Sequence, residues 1–229
     1  MAFEIPSDLM VSVSGVRGRV GAGLTPEVVA RFASAFGAYV RERSGKDRPR
    51  VVLGRDTRTS GAMFLRVVAG ALQSVGCDVI EIGIAPTPTA LFNIRALDAD
   101  GGIVVTASHN PVEWNALKLA SGAGMFLDAH EAPLMRAFVN DRAIERAKWD
   151  ALGDVVQDDA AADRHLQAVL DLPFLDIPRL RERRFKVALD CIRGAGAVLL
   201  PRLLEALGCD VVGLNLEPDG RFHREPEPV

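Results

Sequence analysis

The 229-residue chain, 48% hydrophobic and 25% charged, is long enough to bury a substantial core as one large domain or two modest ones. Its formal charge of −3 leaves no basic surplus, which argues against nucleic acid or an anionic membrane as a partner. Cys77, Cys191 and Cys209 are odd in number and lack Cys-x-x-Cys spacing, and no run of about eighteen apolar residues occurs, so a disulfide scaffold, a zinc site and a membrane span are all unexpected.

Thr25-Pro26-Glu27 sets a hydroxyl cap, a first-turn proline and an acid ahead of Val28, Val29, Phe32, Phe36, Tyr39 and Val40, an apolar stripe with helical spacing. Arg50 to Gly54 reads as a short buried strand. Ser60 opens a second helix whose inner face carries Met63, Phe64, Val67, Val68, Leu72 and Val75 before Gly76 ends it. Asp78 to Ile82 is the next strand, Pro86-Thr87-Pro88-Thr89 turns into a helix over Ala90 to Leu97, and Gly102 to Thr106 is a further strand. Lys118 to Leu127 reads as a hairpin around Ser121-Gly122-Ala123-Gly124, followed by a helix from Asp128 to Arg142. This alternation predicts an α/β fold with a mixed, largely parallel sheet covered by helices and functional loops at the carboxyl ends of the strands. The first domain is expected to span residues 1–150.

Residues 151–229 are expected to form an incomplete second α/β domain. A helix around Ala160 to Leu170 leads to a strand from Phe185 to Asp190, a glycine turn, a helix from Ala197 to Leu207, a strand from Cys209 to Asn215, and a proline-rich run from Glu217 to Val229. Two strands and one long helix are too thin a layer to bury both faces of a sheet. No internal repeat and no coiled-coil heptad stands out.

Ser108, in Thr106-Ala107-Ser108-His109-Asn110-Pro111, follows a strand, and the residues after it favour a turn that projects the hydroxyl from the sheet's carboxyl edge. A serine there is either a turn-capping hydrogen bonder or a nucleophile. A Ser-His hydrolase is the poorer chemistry, because adjacent side chains tend to diverge and no Gly-x-Ser-x-Gly elbow is present. Phosphoryl transfer asks instead for a hydroxyl that accepts and returns the group, with cations for its equatorial oxygens.

Two glycine-flanked loops offer such cations. In Ser14-Gly15-Val16-Arg17-Gly18-Arg19 the glycines permit close backbone approach and Arg17 can fork onto phosphate oxygens, unless the segment is a plain turn with solvated arginines. In Gly54-Arg55-Asp56-Thr57-Arg58-Thr59-Ser60 a strand end enters a helix amino terminus, a place that favours anions; Arg55 and Arg58 either bind phosphate or are pinned by Asp56. Neither loop is a Walker motif, and no Gly-x-Gly-x-x-Gly follows a strand, which disfavours nucleotide binding. His130, His165 and His223 have no partner spacing and read as surface residues.

In order along the chain, these segments resemble the alpha-D-phosphohexomutase family, which includes phosphoglucomutases, phosphomannomutases and phosphoglucosamine mutases. Gly15-Val16-Arg17-Gly18 is similar to the family's first loop, Gly54 to Gly61 to its second, Pro86-Thr87-Pro88-Thr89 to its threonine-proline turn and Thr106 to Pro111 to its phosphoserine loop. Lys118 matches the lysine of its Asn-Gly-x-Lys segment, with Ala116 in the glycine position. Asp190 to Gly196 and Glu217 to Phe222 resemble segments of its second domain and are read as structural. Val11-Ser12-Val13 stands where the family often has Phe-Gly-Thr, and the metal-holding Asp-Gly-Asp-x-Asp-Arg segment is absent, as are the third and fourth domains.

The resemblance implies a phosphohexomutase, an isomerase-class phosphotransferase. Phosphorylated Ser108 gives its group to one hydroxyl of a hexose monophosphate, the bisphosphate reorients, and the opposite phosphate returns to Ser108. The resemblance further implies catalytic roles for Ser108, Lys118 and His109, and phosphate or substrate contacts for Arg17, Asn110, Arg55 and Arg58. It implies Mg2+ bound by Ser108 through its phosphate, with the remaining carboxylates outside this chain, and a hexose bisphosphate as activator. Lys118 would act as acid, base or fixed cation, a surface lysine on a hairpin being the bland alternative; His109 and Asn110 would orient the loop or the substrate. The expected partners are a hexose phosphate and the missing carboxyl-terminal domains, with the chain alone inactive. A different reading is a non-catalytic sugar-phosphate-binding or interaction module on the same fold. Met1 to Pro6 shows no leader pattern, so a cytoplasmic location is expected.

Overall fold

In the computed structural model, which describes residues 4–13, 15–140, 142–224 and 226, the chain opens on two short antiparallel strands, β1 (Met10–Ser12) and β2 (Gly15–Arg19). Helix α1 (Pro26–Ser44) follows. Thr25 accepts a hydrogen bond from the Val28 N–H, Pro26 fills the first turn, and Gly45 closes the far end in a left-handed conformation at φ 66°. Its stripe of Val28, Val29, Phe32, Phe36, Tyr39 and Val40 is buried throughout.

Strand β3 (Arg50–Arg55), helix α2 (Gly61–Gln73), strand β4 (Asp78–Ile84), helix α3 (Thr87–Ala96) and strand β5 (Gly101–Val105) form two successive crossovers. Then come β6 (Trp114–Ser121), α4 (Glu131–Asn140), β7 (Val155–Gln157) and α5 (Ala161–Leu170). The seven strands lie in the order β1-β2-β6-β5-β3-β4-β7, with β5, β3, β4 and β7 parallel and β6, β2 and β1 antiparallel to their neighbours. This is the expected mixed, largely parallel sheet. Helices α1, α2 and α4 cover one face over the larger core, and α3 and α5 cover the other over Val52, Ile82, Ala90, Ile94, Val104 and Ala120. Every residue of β5 is buried, as a strand covered on both faces requires.

Because β4 lies on one side of β3 and β5 on the other, the winding reverses between β3 and β5. At such a reversal an α/β sheet opens a crevice outside its strand carboxyl ends. The segments that emerge there are Asp56 to Ser60 after β3 and Thr106 to Pro111 after β5.

Several elements differ from the sequence expectation. The first glycine segment is strand β2 rather than a loop, and Gly15 lies so close to β6 that an added Cβ would fall 1.9 Å from the Leu117 carbonyl oxygen. Its glycine admits a neighbouring strand; Ser14 lies outside the described residues. Strand β7 extends the sheet after residue 150, and α5 packs on α3 through the Asn93 side chain, which donates to the Ala161 carbonyl at 3.0 Å. His165 is half-buried in that contact: its Nδ1 is 2.9 Å from Thr89 Oγ1, its ring stacks on Phe92, and burial lowers its pKa.

The second unit comprises α6 (Ile177–Arg183), β8 (Lys186–Asp190), a 3-10 turn (Ala195–Val198), α7 (Leu200–Ala206) and β9 (Asp210–Leu214), with β8 and β9 parallel. Helix α6 was not expected, although Asp176 caps it by accepting from the Arg179 N–H at 3.1 Å and Pro178 sits in its first turn. The helix expected from Ala197 to Leu207 is split, because Pro201 lacks the N–H that a continuous helix would use. No residue of β8, α7 or β9 is buried.

An internal repeat, absent from the sequence expectation, also emerges. Gly76-Cys77-Asp78-Val79 at the end of α2 recurs as Gly208-Cys209-Asp210-Val211 at the end of α7. Both glycines are left-handed, at φ 82° and 77°. Cys77 and Cys209 N–H groups donate to the Leu72 and Leu204 carbonyls, and Asp78 and Asp210 N–H groups to Pro49 and Phe185, so β8-α7-β9 repeats β3-α2-β4 in these bonds. Cys77 is buried beneath α1, which pushes its thiol up to about 12, whereas Cys209 is only half-buried.

Candidate active site

Ser108 stands in a turn directly after β5 with a left-handed backbone at φ 56° and an exposed side chain. A non-glycine residue pays roughly 1–2 kcal/mol for that conformation. The turn is therefore held from outside. The Ser108 N–H donates to Thr106 Oγ1 at 3.1 Å, and that hydroxyl in turn donates to Asp56 Oδ2 at 2.6 Å. Burial pushes the Asp56 carboxyl up, while hydrogen bonds from Thr106 and Arg58 pull it back.

Arg58 is the principal brace of this turn. Its side chain is wholly enclosed, and all five guanidinium N–H groups are committed. Nε donates to Asp56 at 3.2 Å, Nη1 to the carbonyls of Pro111 at 2.7 Å and Trp114 at 3.0 Å, and Nη2 to those of Ser108 at 3.0 Å and Asn110 at 2.6 Å. No Arg58 donor remains for the phosphate contact expected of it, and the group does not reach the surface. Asp56 pins Arg58, the other alternative raised by the sequence. Arg55 differs: it is half-buried, and its Nη1 donates to the Asp56 carbonyl at 3.0 Å beside Gly61, the first residue of α2.

Arg17, Asn110 and Lys118 assemble on the sheet side of the turn. Arg17 Nη1 donates to Asn110 Oδ1 at 3.3 Å. In the β2–β6 register Arg17 faces Ala116 and Gly15 faces Lys118, so Arg17 and Lys118 share one face. Lys118 is half-buried in the middle of β6, not on an exposed hairpin, with Nζ 5.1 Å from the centre of the Phe126 ring. Burial first, and then the positive charge of Arg17, holds its pKa below the ordinary lysine range. Arg17→Met removes that like charge and is expected to raise the Lys118 pKa while leaving the burial effect in place. A pH titration of the Lys118 Cε resonance checks this, and an unmoved or lowered midpoint would contradict it.

His109 is exposed, with Nδ1 3.4 Å from Ser108 Oγ, so the two adjacent side chains do meet. A cavity of about 230 Å³ opens beside Ser108, lined by Asp56, Thr57, Thr87 and Thr106 on one side and by Cys191, Gly194, Gly196 and Phe222 of the second unit on the other. Asp56 is its sole acidic lining residue among those described, and its oxygens are already engaged. Among the described residues no group of three or more His, Cys, Asp or Glu could hold a metal ion. The described residues therefore do not make a magnesium site by themselves.

Sequence reasoning missed three contributors. Thr106 was seen only as part of a turn and Asp56 only as a possible pin. Phe222, whose ring centre is 5.3 Å from the Arg58 guanidinium carbon, arrives from the far end of the chain and carries no local signal.

Residues 9–143 match the family model described as phosphoglucomutase/phosphomannomutase, alpha/beta/alpha domain I, and residues 163–229 match alpha/beta/alpha domain II. The chain is 41% identical over 215 residues to a phosphoglucomutase/phosphomannomutase of Thermococcus kodakarensis, covering 93% of this chain and 46% of that protein. It is 31% identical over 222 residues to a phosphoglucosamine/phosphogalactosamine mutase of Sulfurisphaera tokodaii, covering 96% and 47%. A crystal structure of a phosphoglucomutase/phosphomannomutase family protein from Burkholderia thailandensis aligns with a TM-score of 0.74 at 29% identity, covering 94% of this chain and 47% of that one. The chain thus spans about half the length of the curated relatives it matches.

Proposed function

The chain belongs to the phosphoglucomutase/phosphomannomutase family, and on that premise we propose that it forms the phosphoserine-bearing part of a phosphohexomutase. The observation that carries this reading is the exposed Ser108 hydroxyl, held in a left-handed turn at the sheet's reversal point by a buried arginine. Such a hydroxyl is fixed in direction yet open to a ligand, as a group that receives and returns phosphate must be.

In the proposed reaction a hydroxyl of a hexose monophosphate attacks the phosphorus of phosphorylated Ser108. The new O–P bond forms as the Ser108 Oγ–P bond breaks, the departing Ser108 Oγ takes up a proton to become a hydroxyl, and the attacking hydroxyl's proton passes to a base on the protein. Lys118 suits that role because burial and Arg17 favour its neutral form relative to an ordinary lysine. His109, beside Ser108 Oγ, orients the turn or shares the proton. The hexose bisphosphate then turns over, and Ser108 Oγ gives up its proton as it attacks the other phosphorus, while the sugar oxygen whose O–P bond breaks takes one up. Arg17, placed by Asn110, and Arg55 at the α2 amino terminus supply positive charge for phosphate oxygens.

Magnesium, which the family resemblance implies, would find on this chain only the phosphoryl oxygens of Ser108; carboxylates would come from outside it, and none of the steps assigned here passes through the metal. A hexose bisphosphate would prime the serine. A cytoplasmic location is part of the same proposal; among the described residues no helix is long and apolar enough to cross a membrane.

The isolated chain is expected to show no measurable turnover of glucose 1-phosphate, mannose 1-phosphate or glucosamine 6-phosphate with magnesium and a bisphosphate activator. Joined to the segment by which its relatives exceed it, the same chain is expected to turn over at least one of the three. Robust turnover by the isolated chain would refute the incomplete-site reading. Hexose phosphate binding with no turnover in the joined protein would favour a non-catalytic module.

A further inference from the structure

We propose that Phe222 is a positioning residue for Ser108, acting through the Arg58 guanidinium, so that docking of the second unit sets the geometry of the reactive turn. The inference rests on the reading of Ser108 as the phosphoryl carrier for its purpose, but its structural content is independent of any chemistry.

Three observations carry it. Arg58 binds the carbonyl of the left-handed residue itself and that of Asn110 two residues on, and its remaining guanidinium donors go to Asp56, Pro111 and Trp114. The Phe222 ring lies over that guanidinium at 5.3 Å, within the range of a cation–π contact, which is stronger when the cation is withdrawn from water. Phe222 is itself placed with little freedom: Gly220, at φ 69°, sits where an added Cβ would lie 2.1 Å from the Thr57 carbonyl oxygen and 3.0 Å from Arg58 Cα.

The segment bearing Phe222 is anchored within the second unit. Arg193 Nε donates to Asp219 Oδ1 at 2.7 Å, its Nη2 is 2.9 Å from Glu217, and the Gly220 N–H donates to the Arg193 carbonyl at 3.1 Å. Hydrogen bonds from the Arg193 side chain and the Arg221 N–H hold the Asp219 carboxyl down at about 2, so this anchor stays ionised in any ordinary buffer. Ile192 and Arg193 are both left-handed, at φ 45° and 60°, and a β-branched residue rarely tolerates that conformation. A strained turn at the tip of β8 thus presents the anchor, the anchor presents Gly220 and Phe222, and Phe222 covers the arginine that holds Ser108. No residue of β8, α7 or β9 is fully buried, yet the second unit touches the first at the side chain that braces the reactive turn from its carboxyl side.

Nuclear magnetic resonance of the 229-residue chain reads this linkage directly. A left-handed Ser108 brings its own Hα and amide proton close together and gives a strong intraresidue cross-peak. Phe222→Ala is expected to weaken that cross-peak and to shift the amides of Ser108 and Asn110, while resonances of the α1 core at Phe36 and Val40 stay in place. Phe222→Tyr keeps the ring and is expected to restore the wild-type pattern; Phe222→Leu keeps bulk without the ring and is not. Gly220→Ala, which forces the same segment away from Thr57, is expected to reproduce Phe222→Ala.

An unaltered Ser108 turn in Phe222→Ala or in Gly220→Ala overturns the linkage. So does full rescue by leucine, which would reduce the contact to packing. Because no phosphoryl transfer is measured, a Ser108 that never takes up phosphate would end the mutase reading and leave the linkage standing.

Discussion

Ser108→Ala is expected to lower mutase turnover by at least ~10⁴-fold in the protein joined to the remaining segment, with the fold intact, because the covalent route disappears with the hydroxyl. Substrate binding should change little by comparison, since Arg17, Arg55 and Lys118 remain. The exposed position of Ser108 makes the substitution structurally mild. Alanine has no better access to a left-handed backbone than serine, so a modest loosening of the turn is the main structural effect expected. Steady-state kinetics with a hexose monophosphate and a bisphosphate activator checks the rate, and a melting curve checks the fold. Turnover within tenfold of the wild type would mean that phosphate travels by another route.

Arg58→Ala is expected to be the most destabilising single change in the first unit. It strands the Asp56 carboxyl in a nearly enclosed site with its counter-charge gone and withdraws the guanidinium donors from the carbonyls of Ser108, Asn110, Pro111 and Trp114, of which Pro111 keeps the Trp114 N–H. Removing one partner of a buried ion pair costs about 3–5 kcal/mol, which for a chain of this size lowers the melting temperature by roughly 10 °C. Arg58→Lys keeps the charge but cannot reproduce five bonds from a planar fork, so most of the loss should persist. Urea unfolding midpoints at constant m-value measure it. A loss below about 1 kcal/mol would show that solvent replaces these bonds freely.

The residues that carry the proposed chemistry were legible because their signals are local. A strand followed by Ser108-His109-Asn110-Pro111 has few alternatives to a projecting turn, and strand–helix alternation is enough to place that turn at a carboxyl edge. The role of Arg58 was not legible, since Asp-x-Arg spacing serves phosphate binding and internal bracing equally well. Its four carbonyl partners lie 50 to 56 residues away, and only the folded chain brings them in. Strand β2 was read as a loop because two glycines and two arginines hide its alternation, and β7 is only three residues long.

The repeat of Gly-Cys-Asp-Val is four residues in a sequence whose flanks have diverged, so it becomes visible only when both copies are seen to make the same backbone bonds. Helix α6 is the opposite case. Asp176 and Pro178 are good start signals, but the arginine-rich segment behind them lacks an apolar stripe, and none of its residues is buried.

The two units also differ in how they satisfy themselves. The first buries a core on both faces of its sheet, whereas β8 and β9 hold no fully buried residue, only the partly buried Val187, Leu189 and Val211. Two-stranded sheets are marginal in water without a further layer. The second unit is steadied instead by its contacts at Thr57 and Arg58, which places its most specific interaction next to the reactive turn.

The most direct test is to incubate the joined protein with a hexose 1,6-bisphosphate and magnesium, quench, and locate any covalent phosphate by peptide mass spectrometry. One phosphoryl group on Ser108, lost again when excess hexose monophosphate is added, is the predicted result. A phosphoryl group on a different residue, or a Ser108 that stays unmodified while turnover proceeds, would contradict the account.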